Sequence, residues 1–358
     1  MKRLLLLTTI IVILSLFTLC VSAEETVDNY INSFEEALPD EFSGITDPDK
    51  LSGFVSLDSL VSGIISRLTD GRADITSFAL VLLGCSILMG VASLCHDKTS
   101  DITLAASGLV SSILIFSSLN PLTELVSGEV EKISDFFSSL IPIFVGITAF
   151  GGGGSTASVQ AVGMSTALSC VGGLVGKIFL SLSSFGMAIS LLCAFGSEGI
   201  NSVFKGLRGL FNWVTGIFTA LLTATFSLQT LVASSADSAA MRAAKYAASG
   251  LIPVVGSTVS GAISTLSSGL SYAKGIVGGG AVAVILYMAI GPLALLLCYR
   301  LVISLCIILC DFMSVSLASK ILTSFRFALD MTVTLYALSA LIYLFEVIIF
   351  IRTGVAIG

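Results

Sequence analysis

Apolar runs long enough to cross a bilayer dominate the pattern of hydrophobic and polar positions along this chain. Six are clear, each of 18–21 residues: 75–95, 102–119, 178–196, 214–233, 278–298 and 331–351. At 1.5 Å per residue, such a run matches the roughly 30 Å of bilayer hydrocarbon. Residues 136–176 and 302–319 are ambiguous, since glycines interrupt the first and Asp311 lies in the middle of the second. The pattern predicts an all-α, polytopic membrane protein with about seven to nine spans.

Amphipathic stretches that are too polar to span lie between these runs. Residues 122–137 carry an apolar stripe opposite acidic side chains, and residues 200–212 carry one opposite Lys205 and Arg208. Trp213 follows the second stretch, in the position that interfacial aromatics favour. We therefore expect amphipathic or re-entrant helices among the spans. The positive-inside rule assigns Lys205 and Arg208 to the cytoplasm.

The amino terminus has the three-part pattern of an export signal. Lys2 and Arg3 precede an apolar run at 4–19, and small residues follow at 21–23. This pattern predicts a signal peptide over residues 1–23. Retention of the same segment as an uncleaved first span is the alternative. In both cases the chain that follows lies outside the cytoplasm.

The exported segment, residues 24–74, is acidic and precedes a multi-span domain at 75–358. It holds twelve acidic residues against three basic ones, and Ser56 and Gly71 are placed as a helix cap and a helix stop. Two apolar stripes at helical spacing predict two amphipathic helices. The stripes are Val27, Tyr30, Ile31, Phe34 and Leu38, and then Leu57, Leu60, Val61, Ile64, Ile65 and Leu68. Helices this short form no core of their own, so we expect them to pack on partners or on the membrane surface.

Polar residues in or near the spans are the candidate functional positions. Four serines in the region 234–277 recur at i, i+4, i+7 and i+11, and could line a hydrated pore or permit close helix packing. Asp311 is costly in lipid unless it is paired, so it belongs to a conduit or to a helix–helix pair. The candidates for conduit or pairing roles are Asp237, Lys245, Ser260, Ser264, Ser267, Ser271, Lys274 and Asp311.

Composition agrees with a membrane protein and excludes several function classes. Hydrophobic residues make up 55% of the 358 positions and charged residues only 11%, against roughly 25% charged in soluble domains. The net charge of −6, without a basic stripe, argues against a nucleic-acid partner. None of the eight cysteines has metal-site spacing, so we interpret them as packing thiols.

Catalytic motifs are missing from the sequence. His96 is the only histidine, and no HExxH, phosphate loop or GxSxG occurs. Asp311 and Asp330 could suggest an intramembrane aspartyl protease, but neither lies in a GxGD-like context. The run at 151–154 has no Lys after it, so it predicts a break or close packing rather than a phosphate site. Neither enzymatic activity nor a cofactor is predicted.

Several stretches resemble the stage III sporulation protein AE family of endospore-forming Firmicutes. They are residues 236–245, Ile-Pro-Val-Val-Gly at 252–256, Lys-Gly-Ile-Val-Gly at 274–278, and Leu-Ile-Pro-Ile at 140–143. The order of export signal, acidic exported segment and multi-span region is also similar. Asp311 directly after Cys310 departs from the pattern we expect of the family.

The resemblance implies a membrane subunit of the channel complex, or feeding apparatus, that links mother cell and forespore after engulfment. It implies a location in the mother-cell-derived outer forespore membrane. The implied partners are other products of the same operon, including ring-forming subunits and a secretion-type ATPase. No catalytic residues come with the family. A self-sufficient secondary transporter with broken helices is the alternative function.

Overall fold

Every element that the structure describes is helical, which confirms the all-α prediction for the described residues. The structure is a computed structural model. It describes residues 27–47, 50–51, 56–93, 100–151, 153–173 and 256–353, with scattered residues between 185 and 227. The helices are α1 (27–37), α2 (Leu57–Asp70), α3 (Arg72–Ser93), α4 (Ser100–Phe150), α5 (Gly154–Cys170), α6 (Gly256–Phe312) and α7 (Ser316–Arg352).

Four of these helices are long and apolar enough to cross a membrane. The spanning stretches are Arg72–Ser93, Ile102–Phe150, Ser268–Phe312 and Ser316–Arg352. They contain or overlap the predicted runs at 75–95, 102–119, 278–298 and 331–351, so these runs belong to helices that are long and apolar enough to span a membrane. The predicted runs at 178–196 and 214–233 lie largely outside the described residues.

Two helices continue through places where the sequence pattern predicts separate elements. Helix α4 has 51 residues, or about 77 Å, and α6 has 57 residues, or about 86 Å. The stripe at 122–137 and the serine-rich stretch therefore belong to the same helices as the neighbouring apolar runs. The internal prolines, Pro121, Pro142 and Pro292, do not end these helices. Each proline removes only one backbone hydrogen bond, which packing against neighbouring helices can offset.

Two glycines in the middle of α6 serve close packing rather than a break. A Cβ added at Gly280 would lie 2.8 Å from Phe34 Cε1, and one added at Gly278 would meet Ile351 and Phe350. Both are far below ordinary van der Waals distance. These positions can hold only glycine if α1 and α7 are to approach α6 this closely.

Two helical hairpins form the frame of the bundle. The chain turns at residues 313–315, where Ser314 has φ 61°, and α7 then runs antiparallel to α6. The second hairpin is α4–α5, and its turn at 151–153 agrees with the break predicted from the glycine run. Helix α4 runs alongside α7, where Ser134 Oγ and Tyr343 Oη are 2.8 Å apart. Tyr336 Oη donates to the Met288 carbonyl at 3.3 Å and links α7 to α6.

The amino-terminal helices pack along α6, which corrects the expectation that they meet only partners or the membrane surface. Phe34 is buried at Gly280, and the rings of Phe42 and Tyr287 lie 5.3 Å apart at 80°. The predicted cap and stop of α2 are confirmed, because Ser56 Oγ accepts from the Ser59 backbone N–H at 3.3 Å and Gly71 ends the helix. Glycines in α6, such as Gly280, leave room for the amino-terminal helices to pack closely. The hydrophobic stripes of residues 24–74 give no information about these distant glycines, so the sequence pattern did not predict this contact.

Candidate functional site

The predicted site residues do not come together in the part of the chain that the structure describes. Asp237 and Lys245 lie outside it. Ser260, Ser264 and Ser267 lie on α6, before the point at residue 268 where the description of side chains begins. Ser271 is exposed, Lys274 is buried and Asp311 is exposed. Lys274 and Asp311 are 37 residues apart on one helix, about 55 Å, and so cannot share a site.

Asp311 lies at the end of α6, not in the middle of a span. The helix ends at Phe312, and the Asp311 carbonyl accepts from the Ser314 backbone N–H at 3.0 Å in the turn to α7. Residues 302–319, which the sequence pattern left ambiguous, do not form one helix, because Ser314 adopts a positive φ and the chain reverses there. The ion pair at this hairpin instead joins Arg300 Nε to Asp330.

Lys274 joins the first part of α6 to the end of α7. Its Nζ donates to the Thr353 carbonyl and lies 4.9 Å from the centroid of the Phe350 ring. Phe350 in turn stacks on Phe144 of α4, with centroids 3.9 Å apart and planes at 6°. A cation at a helix carboxyl terminus satisfies unpaired carbonyls and complements the helix dipole. Lys274 therefore contacts α7 directly and is linked to α4 through the stacked rings of Phe350 and Phe144. These contacts favour the pairing role of Lys274 over the conduit role.

Replacing Lys274 by Met is expected to loosen the last turn of α7 and to lower the free energy of unfolding by about 1–2 kcal/mol. The hydrogen bond to Thr353 and the contact with the Phe350 ring are both lost. Thermal unfolding of the purified protein in detergent measures the change. Lys320→Met, at an exposed position of α7, is the matched control. An equal loss of stability in both variants would contradict the role assigned to Lys274.

Charged side chains lie on five helices, near the junction of α2 and α3, in the middle of α4, and at the Arg300–Asp330 pair between α6 and α7. We call these residues the charged belt, and it holds four residues of each sign: Arg67, Arg72, Lys132, Arg300, Asp74, Glu124, Glu129 and Asp330. Two contacts are direct, Lys132 Nζ to Glu129 Oε1 at 2.8 Å and Arg300 to Asp330. Arg67 packs over Gly291, where an added Cβ would lie 2.9 Å from its Cγ. The belt separates the two ends of the long helices.

The Arg300–Asp330 ion pair of the charged belt is expected to contribute little to stability. Arg300 and Asp330 are both partly exposed, with 48% and 30% of their side-chain surface accessible. Solvent screening then limits such a pair to about 1 kcal/mol or less. A double-mutant cycle of Arg300→Leu and Asp330→Leu, followed by thermal unfolding, measures the coupling. A coupling of several kcal/mol would show that this pair is more deeply desolvated than the structure indicates.

A groove lined by hydroxyl groups runs between α7 and the helical residues at 211–227. Its volume is about 920 Å³. Thr215, Thr219, Thr223 and Ser227 recur at every fourth position on one side, and Thr334 faces them from α7. The hydroxyl groups of Thr219, Thr223 and Ser227 each donate at 2.8 Å to the carbonyl four residues earlier. Sequence reasoning missed this stripe, although its spacing was visible.

The buried ionisable and thiol groups are integrated into the packing. Glu346 is completely buried within α7. Cys310 Sγ lies 3.3 Å from Ser86 Oγ, and burial raises the pKa of the Cys170 thiol, which keeps this thiol protonated at neutral pH. Within the described ranges, no group of three or more His, Cys, Asp or Glu is placed to hold a metal ion.

Comparison with protein families gives one assignment. The family model described as stage III sporulation protein AE matches residues 52–356, which is most of the chain. No curated protein and no solved structure gives a significant match. The matched range contains α2 to α7, the charged belt and the hydroxyl-lined groove. It begins after α1.

Proposed function

This chain belongs to the stage III sporulation protein AE family, and on that premise we propose that it is a membrane subunit of the channel complex between mother cell and forespore. The observation that carries the proposal is the family match over residues 52–356. Four helices that can cross a membrane support it. In this proposal the chain helps to assemble the complex and to form its channel. It neither catalyses a reaction nor binds a cofactor.

The proposal includes a location and an orientation. The chain would enter the export pathway by its signal at residues 1–23 and lie in the outer forespore membrane, with residues 24–74 outside the cytoplasm. The count of seven to nine crossings stays a prediction. The described helices supply four, and the runs at 178–196 and 214–233 would supply two more.

Hydroxyl groups are the side-chain groups through which this chain would line a channel. The groove beside Thr219 and Thr223 offers polar contacts without charge, and so does the serine stripe at 260–271. Such surfaces hydrogen-bond to passing solutes or water without trapping an ion. Ring-forming subunits and a secretion-type ATPase from the same operon are the proposed partners.

Co-purification from sporulating cells tests membership of the complex. A tagged full-length chain is extracted in mild detergent after engulfment, and the retained proteins are identified by mass spectrometry. We expect ring-forming and ATPase subunits of the operon to be retained. The same chain extracted from vegetative cells, where such partners are not made, is the control.

Absence of every sporulation partner would contradict the proposal. In that case, solute uptake by liposomes that contain only the purified chain would instead support the self-sufficient transporter. A chain that neither retains partners nor transports would exclude both functions.

A further inference from the structure

The two ends of the long helices carry different surfaces on either side of the charged belt. At the first end, which we call the apolar end, lie α3 from residue 75, α4 over 102–119 and α6 over 297–313. At the second end, which we call the coated end, residues 27–47 and 50–51 pack over α6, and helix α5 packs over α4. Helices α4 and α6, at about 77 and 86 Å, are far longer than one bilayer. Only part of each can lie in hydrocarbon.

The apolar end exposes large hydrophobic side chains on three helices at the same level. Exposed examples are Leu80, Leu83, Ile87, Ile113, Leu301 and Leu305. Residues 75–93 of α3 and 102–119 of α4 contain no charged residue. These stretches measure about 28 and 27 Å, close to the thickness of bilayer hydrocarbon. Their exposed faces therefore fit lipid chains in both chemistry and length.

The coated end presents polar groups outward on residues 27–47, on α5 and on the neighbouring part of α4, although Val162 and Tyr272 are also exposed there. The exposed apolar side chains Leu341, Phe345 and Ile348 lie on the face of α7 that meets residues 219–227. Asp28, Glu35, Glu36 and Glu41 are exposed on the segment that packs over α6. Helix α5 exposes Ser158, Ser165, Thr166 and Ser169, and the neighbouring part of α4 exposes Glu131 and Asp135. Carboxylates without partners are costly in hydrocarbon. A helix that is apolar all round is expected wherever protein buries it on every side, in water as well as in lipid.

The charged residues near the apolar end lie close to its borders. Arg300, next to the charged belt, is paired with Asp330. Asp311 and Lys320 lie on either side of the turn at 313–315, within about two helical turns of it, and both are exposed. Long side chains near a helix end reach toward the interface and keep their charge in water. Asp311 then marks a membrane border.

We infer that the bilayer surrounds only the apolar end, and that the coated end stands in water as a helical bundle. Helices α4 and α6 each cross once, and the apolar residues at 278–296 form a protein core rather than a lipid-facing span. Arg208 lies over the Phe327 ring, 5.1 Å from its centroid, near the charged belt. This contact places the helical residues around position 208 at the level of the charged belt.

Tryptophan quenching tests this placement, because the chain has a single tryptophan, Trp213. In a Trp213→Phe background, one tryptophan is introduced by Leu83→Trp, Ile113→Trp or Leu305→Trp at the apolar end. Ser33→Trp and Ser165→Trp report on the coated end. Each full-length variant is reconstituted alone in liposomes and exposed to acrylamide in water or to brominated lipid chains. The test needs no partner protein, so it is independent of the channel role.

We expect the apolar-end variants to be quenched by brominated lipid, with acrylamide quenching at least roughly fivefold weaker than at residues 33 and 165, because acrylamide does not enter hydrocarbon. Circular dichroism and elution volume confirm that each variant is folded, and two or more positions at each end prevent one misfolded variant from deciding the result. Lipid quenching at residues 33 and 165 would overturn the inference. Strong acrylamide quenching at residues 83, 113 and 305 would also overturn it, because it would show that this surface faces water.

Discussion

Replacing Gly280 by Leu is expected to release residues 27–51 from α6. The Cβ alone would lie 2.8 Å from Phe34 Cε1 and 2.9 Å from its Cζ, and the rest of the leucine needs the volume that the ring occupies. Overpacking of a tight contact costs about 1–3 kcal/mol, and often more when both groups are rigid. The released segment is measurable as faster amide hydrogen exchange over residues 27–37 and as new protease cleavage between α1 and α2.

Gly275→Leu is the matched control for this prediction. Gly275 lies on the same helix and is exposed, and no atom lies within 4 Å of an added Cβ. The helix propensity changes in the same way in both variants, so a difference between them reports the contact with Phe34. Similar hydrogen exchange over residues 27–37 in the two variants would contradict the packing of α1 on α6.

Replacing Phe350 by Ala is expected to lower the free energy of unfolding by about 3–5 kcal/mol. Phe350 is completely buried, stacks on Phe144 and supports the Lys274 side chain. Its removal leaves a cavity where α4, α6 and α7 meet. Thermal or denaturant unfolding in detergent measures the loss.

Phe312→Ala separates this effect from the loss of any aromatic residue. Phe312 is 88% exposed at the end of α6, so its truncation leaves no internal cavity and little change in stability is expected. If the bilayer surrounds the apolar end, removal of the Phe312 ring reduces contact with lipid instead. Equal destabilisation by the two variants would show that the Phe144–Phe350 stack does not hold the three helices together.

Local features of the fold could be predicted from the sequence because their causes lie within a few residues. The stripe around Phe34 predicts α1, Ser56 and Gly71 set the ends of α2, and the glycine run predicts the turn after α4. In each case the signal and the structure that it specifies are adjacent in the chain. The family resemblance, which the family match confirms, depended on short stretches of the same kind.

Long-range packing could not be predicted in this way. Gly280 lies inside the predicted run at 278–298, and the sequence around it does not mark it as a contact site, because its partner, Phe34, is nearly 250 residues away in the chain. The assignment of residues 302–319, with Asp311 in their middle, stayed ambiguous because periodicity does not reveal a turn made by a serine with positive φ. Apolar composition likewise does not distinguish a helix buried by protein from one surrounded by lipid. The contact of Phe34 with Gly280 shows that protein covers α6 at this point.

The number of heat-resistant spores is the measurement that tests the assignment to sporulation most directly. A strain that lacks this chain is compared with its parent and with strains that carry the wild-type, Gly275→Leu or Gly280→Leu chain. The account predicts arrest after engulfment and a spore count near background in the deletion strain. It predicts recovery with the wild-type and Gly275→Leu chains, and little recovery with Gly280→Leu. A deletion strain that forms as many heat-resistant spores as its parent would contradict the account.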